Sequence, residues 1–277
     1  MTAPRALSGI GYTAPLIFRI VIVIAALDAL VFFNQSCQQR QASLSEDQIS
    51  AALRDNATPN EVREGLDQLR TRIVQKQSIE RWAADVVRLS NHPEIIVRHD
   101  VAEFMAADPG RNEFRAALHR MLESDVPLVC NAAALSLAAF DDNYGHELIA
   151  AMLKPVVIMA PRTGNVRTLT RSGKSVEHGT VILRISAAAD ETAVLAPIAG
   201  KTRLEVKSGD SVSGGARVAV IEPAPEQLKA ALRALQSVGK AADIPQMTVI
   251  AENVEHPAEV RELARTTIRK ISERARF

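Results

Sequence analysis

Ala160-Pro161-Arg162-Thr163-Gly164, Ser172-Gly173-Lys174-Ser175-Val176, Gly179 and Val181-Ile182-Leu183-Arg184-Ile185 are followed by Ala196-Pro197-Ile198-Ala199-Gly200, Ser208-Gly209-Asp210-Ser211-Val212, Gly215 and Val218-Ala219-Val220-Ile221. Val156–Pro223 thus reads as one pattern written twice, matched positions lying about 36 residues apart without a gap, the mark of an internal duplication. Each copy predicts a short strand ending at Ala-Pro, where proline supplies no ladder donor. The next glycine, Gly164 or Gly200, is expected to make a tight turn with positive φ. A second strand, Asn165–Thr170 or Lys201–Val206, leads into a Ser-Gly-(Lys/Asp) turn at Gly173 or Gly209, and Val176 or Val212 opens a third. Neither half can bury its apolar face alone. The two are expected to interlock into a small flattened barrel.

This doubled motif resembles the biotinyl/lipoyl carrier domain and its relative, the barrel-sandwich hybrid of membrane-fusion (periplasmic adaptor) proteins. Ala196-Pro197-Ile198-Ala199-Gly200 with Val206-Lys207-Ser208-Gly209-Asp210-Ser211-Val212 carries the likeness most closely. Carrier domains of that family hold a modifiable lysine at the hairpin tip between the halves. Here the tip reads Ile185-Ser186-Ala187-Ala188-Ala189-Asp190-Glu191-Thr192, and Ala189 stands at the lysine's place. There is no amine to acylate, so no covalently carried cofactor is expected. Periplasmic adaptors insert a long helical hairpin at the same tip, and this chain has room only for a tight loop.

Outside the stretch the chain is alanine-rich and poor in aromatics. Its 277 residues and net charge of +1 fit a membrane anchor with two modest domains and exclude an electrostatic nucleic-acid binder. Met1–Thr13 is a polar tail. Ala14–Phe33 is apolar for about 20 residues, the length of a membrane-spanning helix; the alternative, a cleaved signal peptide, lacks a small-x-small cleavage site. Arg19 reaches headgroups by snorkelling. Asp28 is either wetted at the far interface or paired with another membrane subunit. Arg5 and Arg19 on the amino side, with Glu46 and Asp47 beyond, favour an amino-terminus-in orientation. That puts residues 34–277 in the periplasm of a double-membrane bacterium. Cys37 lies just past the span, as an inert interfacial thiol or a site of intermolecular pairing, and Cys130 falls in an apolar helical run as a buried thiol.

A Gln-rich linker, 34–44, precedes a helical domain over 45–154, and 224–277 is helical again. Thr58-Pro59-Asn60-Glu61 predicts an N-cap followed by proline at the first helical position. His92-Pro93-Glu94-Ile95, Val126-Pro127-Leu128-Val129 and His256-Pro257-Ala258-Glu259 are similar helix starts, and these parts resemble HEAT repeats, helix pairs stacked into a solenoid. The fold class expected is α+β: one transmembrane helix, a HEAT-like α-solenoid and a small barrel-sandwich hybrid. Whether the two helical parts form one solenoid or sit at opposite ends of the barrel is left open by the sequence.

No catalytic constellation emerges. The chain has no His-x-x-x-His, no Cys-x-x-Cys, no Gly-x-Ser-x-Gly and no complete phosphate-binding loop. Zinc endopeptidases of the lysostaphin type share a related barrel, but His178 is the only histidine in this one. His99 and His119 read as solvent-facing, and His92 and His256 as turn features. Asp141-Asp142-Asn143 reads as a cap for the helix that follows. The expectation is a non-enzymatic, membrane-anchored periplasmic scaffold or adaptor, without cofactor or metal. Its expected partners are membrane subunits, with Asp28 and Arg19 as contacts, and possibly copies of itself. The alternatives are a degenerate carrier-type accessory subunit and a polysaccharide-binding module.

Overall fold

The computed structural model describes residues 44–187 and 190–276. The expected tail 1–13, the anchor 14–33 with Arg19 and Asp28, and the linker up to residue 43 lie outside the described residues. Among the described residues no helix is long and apolar enough to cross a membrane. The chain is α+β: helices on both sides of a β unit of eight strands. From Ser50 onward the described residues form one compact unit.

The helices are α1 (Glu46–Ala52), α2 (Pro59–Val74), α3 (Glu80–Leu89), α4 (Ile95–Met105), α5 (Asn112–Met121), α6 (Pro127–Leu137) and α7 (His146–Ala151) before the strands, and α8 (Pro225–Val238), α9 (Ile244–Glu252) and α10 (Ala258–Arg274) after them. The start of α2 is a complete capping box. Thr58 Oγ1 accepts the Glu61 amide at 3.3 Å, and Glu61 Oε2 accepts the Thr58 amide at 2.7 Å, with Pro59 at the first helical position. The apolar run at Pro127 gives α6 and then a 3-10 turn, Ala138–Phe140, closed by Asp141 in the left-handed region at φ 52°. A short polar side chain tolerates that conformation.

Helix α2 packs on α4, α4 on α6, α6 on α8 and α8 on α10, in one row. Helices α3, α5, α7 and α9 each pack against members of that row. The β unit enters between α7 and α8, yet α8 takes the place beside α6 that the next helix of an uninterrupted row would take. A single core joins the two helical parts: Ala134, Ile149 and Leu153 are buried together with Leu228, Leu232, Met247, Val260 and Ile271. Polar staples repeat the join. Gln246 Nε2 donates to the Leu153 carbonyl at 3.3 Å, and His146 Nε2 lies 2.8 Å from Asp243 Oδ2, both side chains buried.

The strands are β1 (Val156–Met159), β2 (Gly164–Thr168), β3 (Ser175–Val176), β4 (Val181–Ala187), β5 (Asp190–Leu195), β6 (Gly200–Leu204), β7 (Ser211–Val212) and β8 (Arg217–Pro223). They form two four-stranded antiparallel sheets, ordered β1-β8-β6-β3 and β5-β4-β2-β7. Replacing each strand by its counterpart in the other copy turns one order into the other. Each sheet therefore has two adjacent central strands from one copy and both edge strands from the other. The β core, including Ile158, Val166, Ile182, Leu183, Ile185, Val212, Val218 and Ile221, closes only when both copies contribute.

Candidate functional site

The glycines singled out in the sequence fall into two physical classes. Gly173 and Gly209 have φ of 83° and 96°, as the Ser-Gly turns require, and Gly179 and Gly215 share the left-handed region at 79° and 80°. Their amides tie the copies together: Gly173 N donates to the Thr202 carbonyl at 2.6 Å, and Gly209 N to the Val166 carbonyl at 2.8 Å. Gly164 and Gly200 correct the sequence expectation. They are not among the positive-φ glycines; they are the first residues of β2 and β6. Glycine is needed there because a Cβ would stand 2.4 Å from the Ser186 carbonyl oxygen or 2.0 Å from that of Glu222. The constraint is close approach between neighbouring strands, not turn conformation.

At the tip between the copies, Ala187 pairs with Asp190, so β4 and β5 run to the end of a tight hairpin. Ala188 and Ala189, the latter at the expected carrier-lysine place, lie outside the described residues. Arg184 Nη1 reaches Glu191 Oε2 at 2.8 Å and Arg167 Nη2 lies 3.5 Å from Glu191 Oε1. These exposed pairs fasten β2, β4 and β5 together on the outer face of the second sheet.

A cleft of about 810 Å³ lies between the outer face of the first sheet and the α9–α10 turn. Lys201 and Arg203 of β6 and Glu222 of β8 line one side, and Asn253, Glu255 and His256 the other. Lys201 Nζ lies 3.4 Å from Glu255 Oε2 across it. Burial pushes the His256 imidazole below its ordinary pKa, and the carboxylates of Glu222 and Glu255 offset this only in part. His256 is therefore neutral near pH 7. The cleft is lined by the cations Lys201 and Arg203 and the carboxylates Glu177, Glu222 and Glu255, with no nucleophile–base pair among its lining residues.

The other histidines sit in structural networks. His92 is buried; its Nδ1 accepts the Glu94 amide at 3.1 Å and its Nε2 lies 3.3 Å from the Asp55 carbonyl oxygen. His178 is exposed. His99 and His119 are half-buried and hydrogen-bonded to Asp100 and Asp142 rather than solvent-facing. His99, Asp100 and Glu103 lie close enough to share a cation. Asp100, however, already receives Arg63 Nε at 2.9 Å and Nη2 at 2.8 Å, which supplies the positive charge its carboxylate needs.

His119 Nε2 meets Asp142 Oδ2 at 2.8 Å, Arg115 Nε donates to the same oxygen at 2.6 Å, and the Tyr144 amide donates to Oδ1 at 3.0 Å. Burial raises the Asp142 carboxyl, but these three donors outweigh it and hold the pKa below the ordinary range. Asp142 thus organises the turn before α7 and does not cap the helix, whose N-cap is Gly145. Cys130 is half-buried rather than buried, and desolvation raises its thiol pKa, which makes it a poor nucleophile. Sequence reasoning missed the cleft because its two walls come from segments about 50 residues apart. A scan against protein-family models finds no match to this chain, and no curated protein matches it.

Proposed function

We propose that this chain is a non-enzymatic, single-span inner-membrane protein whose periplasmic part, residues 34–277, serves as a scaffold or adaptor. The assembly it serves is one of transport, secretion, a motor or respiration. In this reading the β unit is a barrel-sandwich hybrid of the biotinyl/lipoyl kind, stripped of both the carrier lysine and the docking hairpin. The helical rows are HEAT-like and offer an extended surface to a protein partner. Ala14–Phe33 anchors the chain, and Asp28 meets a membrane subunit, with Arg19 at the headgroups.

The observation that carries this reading is the exchange of strands between two gapless copies in the β unit. The unit is presented on a helical body in which Asp100, His119, Asp142, His146 and Asp243 are engaged in structural pairs. Mild-detergent affinity purification of the full-length protein from native membranes tests the proposal. Stoichiometric co-elution of integral membrane proteins is the expected result, and Asp28→Ala should weaken it while leaving the helical and β units folded. A soluble protein recovered alone from the cytoplasm, or an intact mass carrying a covalent adduct, would overturn the reading in favour of a carrier-type accessory.

A further inference from the structure

The β unit and the helical body have separate cores, and no strand packs closely against a helix among the described elements. Two covalent links join them: Lys154-Pro155 ahead of β1, and Ala224 between β8 and α8. The links lie side by side because β1 and β8 are paired, Val156 opposite Ile221. On the helical side they are held firmly. Met152 and Leu153 are buried in the helical core, and Gln227 Nε2 lies 3.5 Å from the Met152 carbonyl oxygen. Beyond the links, the cleft separates the bodies, and Lys201–Glu255 is the ion pair that crosses it among the described residues.

From this geometry we propose that the β unit swings as a rigid body on the paired links, and that charges facing each other across the cleft set how far it closes. Adjacent links of one and two residues act as a strap hinge, permitting rotation about one axis while opposing twist. A folded body with its own core, sharing no apolar core with its neighbour, moves by default. The latch is weak. Lys201 and Glu255 are 57% and 74% exposed, and such a pair biases an equilibrium by no more than roughly five-fold. A weak latch keeps both positions populated, so that a partner gripping either body can select one of them. Glu222 and His256 also face each other across the cleft.

The test is a distance distribution between nitroxide labels on the full chain. One label sits on the β unit at Asn165→Cys and the other on the α9–α10 turn at Val254→Cys, with Cys37 and Cys130 replaced by serine. Lys201→Glu places like charges across the cleft and should move population toward longer distances, up to roughly five-fold in the long-to-short ratio. Adding Glu255→Lys should restore the original ratio. Asn165, Val254, Lys201 and Glu255 are exposed, and an unchanged circular dichroism spectrum guards against misfolding. A distribution, narrow or broad, that ignores both the reversal and the swap overturns the proposal.

Discussion

Thr202→Val tests the duplication where its two copies disagree. Thr202 lies on β6, fully buried, and its Oγ1 has no hydrogen-bond partner. The matched residue in the first copy is Val166 on β2, 3% exposed and part of the β core. The fold therefore already accommodates valine at the equivalent position. A buried hydroxyl without a partner costs about 1–3 kcal/mol, and valine replaces it with a methyl of similar size, opening no cavity. The substitution should stabilise the β unit by about 1–2 kcal/mol, or roughly 5–30-fold in its opening constant. Intrinsic fluorescence would miss this, because the sole tryptophan, Trp82, is in α3 and both tyrosines lie outside the β unit. Amide hydrogen exchange, followed by mass spectrometry over peptides from β4, β6 and β8, reads it directly. The reciprocal Val166→Thr should lose about 1–3 kcal/mol by the same account. A neutral or destabilising Thr202→Val would mean that the hydroxyl is bonded in solution and would refute the reasoning.

Gly200→Ala should cost about 3 kcal/mol, the upper end of overpacking effects, because the new Cβ meets both the Glu222 carbonyl oxygen and Ile221 Cγ2, at 2.0 and 2.9 Å. Gly209→Ala meets nothing within 4 Å and should cost only about 1–2 kcal/mol for its positive φ, a contrast that exchange in β6 and β7 measures. Asp142 has a depressed pKa, so its contribution is present above the ordinary aspartate value of about 3.9 and is lost as pH falls below that through the folded pKa. Asp142→Asn should therefore unfold with a shallower acid dependence below about pH 4, followed by circular dichroism. Asp243→Ala leaves buried His146 Nε2 and the Lys240 amide without their shared oxygen and should cost about 1–3 kcal/mol, read as faster exchange in α7 and α8. Replacing 156–223 with a short Gly-Ser linker should leave the helical core folded, with protection retained in α6 and α8; loss of that protection would show that the helical parts depend on the β unit.

The β unit was legible because duplication multiplies weak signals. A Ser-Gly pair or an Ala-Pro-x-x-Gly alone says little, but a gapless second copy fixes which residues correspond, and β2, β3 and β4 recur in register as β6, β7 and β8. The role of Gly200 was not legible. Glycine for positive φ and glycine for close approach leave the same letter in the sequence, and the Glu222 carbonyl that decides between them lies two strands later in the chain. The helix starts at Thr58-Pro59 and Val126-Pro127 were readable because capping and proline act locally. The pairing of His119 with Asp142 and of His146 with Asp243 was not, since each joins separate elements. The membrane anchor and Asp28 rest on the sequence alone.

The helical body constrains how the β unit can be carried. Its insertion lies between α7 and α8, where the row must continue from α6 to α8. An inserted segment whose ends were far apart would pry that junction open. The strand order avoids this, because the first and last strands of the unit are hydrogen-bonded neighbours and deliver both ends to one place. A simple tandem of two independent halves would leave its ends wherever the second half finished. The interlocked arrangement brings the first strand of copy one against the last strand of copy two. The same exchange that closes the β core therefore makes the unit insertable into a helical row without disturbing its packing, and confines its connection to the two adjacent links on which we propose it turns.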